Sequence, residues 1–85
     1  MSKYCIANWK MYMNRIKIDS YFNDFLDKDF DKNCKLIICP SPMHIDYVYQ
    51  KIKTNKSIFL GSQNISEHEN GAFTGECSLE MLLES

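Results

Sequence analysis

Arginine is nearly missing from this sequence: of ten cationic side chains only Arg15 carries a guanidinium, and eleven acidic residues leave a net charge of −1. Nucleic-acid partners need a basic face with forked donors, so that class is set aside. Long apolar runs are missing too. The longest aliphatic stretch, residues 36–39, is four residues long, far short of the ~20 that a membrane-crossing helix needs. The first nine residues lack the charged start and apolar core of a secretory leader. The expectation is an untargeted, cytoplasmic chain with no membrane partner.

Cysteine is present four times, at 5, 34, 39 and 77, but never as C-x-x-C, and neither His44 nor His68 stands at a zinc-like spacing from a thiol. Free or structural thiols are therefore expected, and no metal. Asn55-Lys56-Ser57 and Asn64-Ile65-Ser66 match the glycosylation acceptor, and without a leader both are expected to be unmodified. Glycine occurs only at 61, 71 and 75, which fits neither a dinucleotide fingerprint nor a P-loop. Asp27, Asp29 and Asp31 begin like a calcium loop. Lys32 then falls where a glycine is needed and Ile38 where a bidentate glutamate is needed, which excludes it.

What remains is a globular composition, 45% hydrophobic and 25% charged, in 85 residues that allow one small domain. Three β-rich stretches, 3–7, 35–39 and 57–60, alternate with helical patterns. Between the first two, Ile18, Tyr21, Phe22, Phe25 and Leu26 recur at spacings of three and four. Asp19, Asn23, Asp24 and Asp27 take the other side, and the helix should end near 31–33. Beyond Pro40 and Pro42, the stripe Ile45, Val48, Tyr49 and Ile52 marks a second helix. Strands separated by helical crossovers must be parallel, so the class is α/β, in the order βαβαβ. A loop over 61–77 leads to a third helix, with Ser78 as N-cap and Glu80 in its first turn.

A parallel sheet is normally covered on both faces, and three strands leave open edges and half their apolar side chains uncovered. The piece is expected to be incomplete.

Two segments carry chemistry. Asn8-Trp9-Lys10 sits at the carboxyl end of the first strand, the edge where α/β sheets hold their ligands. The strand period of two sends Asn8 the same way as Tyr4 and Ile6, with Lys10 following if the extension persists. An ammonium there suits an anionic group or a developing oxyanion, with the amide to orient it. The second segment is the loop over 61–77, too long to be a mere connection. In it Phe73 stands among small residues as a knob for a partner surface.

These residues together resemble the amino-terminal third of the triosephosphate isomerase family. Ala7-Asn8-Trp9-Lys10-Met11 is similar to its first strand and lysine-bearing loop, and Cys39-Pro40-Ser41-Pro42 to the end of its second strand. Most specific are Leu60-Gly61-Ser62-Gln63-Asn64 and the run from Asn70-Gly71-Ala72-Phe73-Thr74-Gly75-Glu76 through Cys77-Ser78 to Glu80-Met81-Leu82.

The resemblance implies that residues 1–85 are part of a single TIM (β/α)8 barrel of ~250 residues. That barrel interconverts dihydroxyacetone phosphate and glyceraldehyde 3-phosphate, in glycolysis and gluconeogenesis, without a cofactor. It implies that Lys10 is catalytic and, with Asn8, binds substrate. The family is the standard worked case of a glutamate base, a neutral histidine and a closing loop. The resemblance places these beyond residue 85, so the chain alone should be inactive; His44 and His68 are not expected to replace them. It further implies a homodimer with Met11, Phe73, Thr74, Gly75 and Glu76 at the interface, Glu76 awaiting an arginine from beyond residue 85. The alternative is a non-catalytic remnant that keeps the interface loop and docks through it. Departures are Tyr12 where an asparagine is common, Ser62 for alanine and Leu79 for proline.

Overall fold

The computed structural model describes residues 3–25 and 34–85. Its elements are β1 (Lys3–Asn8), α1 (Arg15–Phe25), β2 (Cys34–Cys39), a 3-10 turn (Pro42–His44), α2 (Ile45–Ile52), β3 (Ile58–Leu60) and α3 (Leu79–Glu84). The side chain of Phe25, Leu26, the aspartates at 27, 29 and 31, and the expected end of the first helix lie outside the described residues.

All three strands are parallel, in the order β1-β2-β3. Register runs from Lys3 opposite Cys34 to Asn8 opposite Cys39, and from Leu36 opposite Ile58 to Ile38 opposite Leu60. The ladder continues past both outer strands. Trp9 N–H donates to the Cys39 carbonyl at 3.1 Å, and Gly61 N–H to the Ile38 carbonyl at 2.8 Å. Three strand ends are thereby drawn together at one edge of the sheet.

The alternation of the strands sorts their residues. Leu36, Ile38 and Ile58 point to the helices and are buried with Trp9, with Ile18 and Phe22 of α1, and with Val48 and Ile52 of α2. Each such aliphatic side chain is worth ~1.5–3 kcal/mol when fully buried. The Trp9 ring meets Tyr21 edge-on at 5.3 Å and lies tilted against Phe22 at 6.0 Å. Trp9 thus anchors the segment after β1 on α1, while its neighbours Asn8 and Lys10 remain exposed.

The opposite face carries Tyr4 and Ile6, 63% and 65% exposed, and Phe59, 43% exposed. Lys35 Nζ lies 5.8 Å from the ring centres of both Tyr4 and Phe59. No described helix covers this face, in keeping with the expectation of a sheet clothed on one side only.

Two helix starts explain themselves chemically. Asn14 caps α1, its Oδ1 accepting the Lys17 N–H at 2.9 Å. Ser78 Oγ accepts the Met81 N–H at 3.2 Å from an extended backbone. That is the expected cap, and it serves α3 with Leu79 at the first helical position. One sequence expectation needs correction. Tyr49 is exposed, because Ile45, Val48 and Ile52 already fill the face of α2 that meets the sheet. Asp19, on the polar side of α1, is engaged by both Tyr47 and Lys51 of α2.

Candidate functional site at the carboxyl end of the first strand

Extension ends at Asn8. Lys10 adopts φ +52°, the one non-glycine residue with positive φ among those described. Left-handed backbone costs a residue with a Cβ ~1–2 kcal/mol, so such a position persists only where its surroundings fix it. Three bonds do so. Tyr12 N–H donates to the Trp9 carbonyl at 3.2 Å, closing a turn around Lys10 and Met11. Lys10 N–H donates to Asn8 Oδ1 at 3.0 Å, an asparagine turn that explains why the amide precedes the lysine by two residues. Gln63 Nε2 donates to the Lys10 carbonyl at 2.8 Å. The sequence placed Asn8 and Lys10 on one side by strand alternation; the structure joins them through a turn instead.

Gln63 comes from the segment after β3, and its Nε2 also donates to the Cys39 carbonyl at 3.0 Å. Glycine at 61 makes that approach possible. A Cβ there would lie 2.8 Å from Cys39 Sγ and 3.1 Å from Ile37 Cγ2. Burial pushes the Cys39 thiol above its ordinary pKa, so it stays protonated and packs as a small apolar group. All four cysteines are free. Sequence reasoning missed Gln63 as a site residue, although it stands three residues past the end of β3, at the same edge of the sheet as Lys10, two residues past the end of β1.

The long loop has no helix or strand of its own, yet it is tied. Ser66 N–H donates to the Cys77 carbonyl at 2.8 Å, joining its two limbs, and Glu76 N–H donates to the Phe73 carbonyl at 3.2 Å. Ser62 Oγ donates to the Asn64 carbonyl at the loop entrance. His68 stacks on Phe73 with centroids 4.1 Å apart and planes 3° from parallel. Phe73, Thr74, Gly75 and Glu76 are exposed, and Met11 is 95% exposed. A groove of about 720 Å³ lies between this loop and α3, lined by Glu67, His68, Glu69 and Glu80 among others. Its lining includes neither Asn8 nor Lys10, which stand on an open surface. Among the described residues no three metal-ligating side chains gather, and no helix is long and apolar enough to cross a membrane.

Parallel strands alternating with helices, with polar residues gathered at the strands' carboxyl ends, define a partial TIM (β/α)8 barrel. The family model for triosephosphate isomerase matches residues 3–85. The triosephosphate isomerase of Colwellia psychrerythraea is 42% identical over 79 residues, covering 89% of this chain and 31% of that protein. Those of Shewanella frigidimarina and Shewanella sediminis are 33% and 34% identical over 85 residues, covering 93% of this chain and 33% of each. This chain belongs to the triosephosphate isomerase family, and it spans about a third of the length of these relatives.

Proposed function

We propose that residues 1–85 supply the first third of a single barrel domain that interconverts dihydroxyacetone phosphate and glyceraldehyde 3-phosphate. The observation that carries this reading is Lys10, held beyond β1 in a left-handed turn by Asn8 and Gln63, inside the span that matches the family. An ammonium fixed there attracts the substrate's phosphate and stabilises the oxyanion that forms when a proton leaves the carbon beside the carbonyl. Asn8 uses its Oδ1 on the Lys10 N–H, which leaves the Nδ2 hydrogens to orient a substrate oxygen.

Proton transfer needs a positioned acid and base, each worth ~10²–10⁴-fold. The groups that touch the Lys10 backbone, Asn8 and Gln63, are amides and provide neither. The chain by itself is therefore inactive, and the base and electrophile come from the remainder of a barrel. That remainder also covers Tyr4, Ile6 and Phe59 and encloses the open surface around Lys10. The exposed Met11 and residues 73–76 dock against a second copy in a homodimer. A cytoplasmic, glycolytic setting without a cofactor goes with this role.

The test is a hybrid barrel in which residues 1–85 replace the matching third of the Colwellia psychrerythraea enzyme. The hybrid is expected to turn over glyceraldehyde 3-phosphate. Lys10→Met is expected to lower kcat/KM by ~10²–10³-fold, the range for losing a transition-state donor. A folded but inactive hybrid, or full activity in the Lys10→Met variant, overturns the reading. So does clear turnover by the 85-residue chain alone.

A further inference from the structure

We infer that Gln63 is a positioning residue for Lys10, acting through the peptide backbone and not through substrate; this rests on the reading of Lys10 as the substrate-facing cation. The primary amide of Gln63 spends its nitrogen on two carbonyls, that of Lys10 at 2.8 Å and that of Cys39 at 3.0 Å. One side chain from beyond β3 thereby ties the segment after β1 to the end of β2. The Cys39 carbonyl also receives the Trp9 N–H at 3.1 Å. Lys10 is thus fixed relative to a rigid ladder and not only relative to its own loop.

The backbone of Lys10 makes this clamp consequential. At φ +52° the residue sits in a conformation it would leave if unrestrained. Its N–H is held by one side-chain amide, Asn8, and its carbonyl by another, Gln63. Neither is a sheet ladder bond, so the conformation depends on those two side chains together with the turn closed by Tyr12. Releasing the carbonyl lets the turn relax and carries the ammonium away from its place. A displacement of ~1 Å at a reacting group is enough to cost ~10²-fold in rate.

The chemistry demanded at position 63 is specific. Two N–H donors are needed on one atom, which an amide provides. Glutamate has the same length and no donor, and would set a carboxylate against two carbonyl oxygens. Leucine fills similar space with no polar group. Gly61 contributes by absence: a Cβ there meets Cys39 Sγ and Ile37 Cγ2 inside contact distance, which would lift the segment carrying Gln63 off β2.

The experiment is a double-mutant cycle in the complete hybrid barrel, with glyceraldehyde 3-phosphate as substrate and inorganic phosphate as competitive inhibitor. Gln63→Leu is expected to lower kcat ~10–100-fold and to weaken phosphate inhibition in parallel. In a Lys10→Met background Gln63→Leu is expected to cost nothing more, because its effect passes through Lys10. Multiplicative losses would show that Gln63 acts by itself, and would overturn the inference while leaving the role of Lys10 intact. A second readout does not depend on turnover. The Lys10 N–H is held by Asn8 Oδ1 only while its turn keeps its shape, so Gln63→Leu is expected to speed hydrogen exchange of the Lys10 amide severalfold in the folded hybrid. Unchanged exchange overturns the clamp even if the hybrid is inactive. Faster exchange in a folded, inactive hybrid retains the clamp and rejects its catalytic purpose.

Discussion

Tyr47 of α2 donates its hydroxyl to Asp19 of α1 at 2.6 Å, so the two crossover helices are joined by a polar bond as well as by the shared core below it. Lys51 Nζ reaches the same carboxylate oxygen at 2.8 Å. The Arg15 guanidinium and the Lys51 ammonium each lie about 5 Å from the centre of the Tyr47 ring. The Lys51 and Tyr47 hydrogen bonds hold Asp19 below the ordinary carboxylate pKa, and the same carboxylate raises those of Tyr47 and Lys51.

The lysine contact is partly exposed and open to salt, whereas the Tyr47 bond is short and directed at an ionised acceptor. Tyr47→Phe is therefore expected to lower the melting temperature of the hybrid barrel by more than Lys51→Met does. Added salt should narrow the Lys51→Met difference while leaving that of Tyr47→Phe. Thermal unfolding at low and high ionic strength checks the order.

The pH dependence follows from the sign of the Asp19 shift. A carboxyl whose folded pKa is depressed contributes stability that is present above its unfolded value and is lost as pH falls through the folded one. That window lies below about pH 4. Asp19→Asn should therefore leave the hybrid less stable than the parent at pH 7, with the difference closing as pH falls below 4. Melting curves from pH 7 to pH 2 would show it. A constant gap would mean that the carboxylate's charge plays no part.

Core and inner face should respond oppositely to their setting. Ile38 is fully buried between sheet and helices, and Ile38→Ala is expected to cost ~2–5 kcal/mol in the hybrid barrel, read by chemical denaturation. Ile6 is 65% exposed on the uncovered face. Ile6→Lys should reduce self-association of the 85-residue chain, since it breaks an apolar patch. In the hybrid it should be strongly destabilising, because the added strands bury the new charge. Sedimentation of the chain and unfolding of the hybrid test the two halves, and a harmless Ile6→Lys in the hybrid would mean that the face stays open.

What the sequence revealed, and what it hid, divides along physical lines. The three strands and α2 were legible because apolar residues recur at the periods of strand and helix, and burial enforces those periods. Tyr49 was misplaced because a stripe written in threes and fours is wider than the part of α2 that reaches the sheet. The partners of Asp19 stayed hidden because polarity marks a helix flank without telling whether water or a neighbouring helix lies against it. Nothing in Trp9-Lys10-Met11 announces a left-handed residue, for no glycine or asparagine stands at position 10. The bonds from Gln63 depend on the register of three strand ends, and no local pattern records that. Asn8 and Lys10 stood out by their place at a strand end and Phe73 by its small neighbours, whereas the catalytic role and the other interface residues came from family resemblance.

The loop over 61–77 owes its shape to one glycine more than to another. Gly71 has φ +137°, and a Cβ there would lie 2.5 Å from the Phe73 ring. Gly75 has φ +81° with open space around it. Alanine at 75 meets backbone strain only, on the order of 1 kcal/mol, whereas alanine at 71 must also displace the ring that His68 stacks on. Gly71→Ala is therefore expected to remove the ring-current shift of the His68 protons in the hybrid's NMR spectrum, and Gly75→Ala to retain it. If the loop docks a second subunit through Phe73, only the first substitution should also weaken the dimer severalfold in sedimentation. Equal effects from both glycines would mean that backbone freedom, and not the stacked pair, sets the loop.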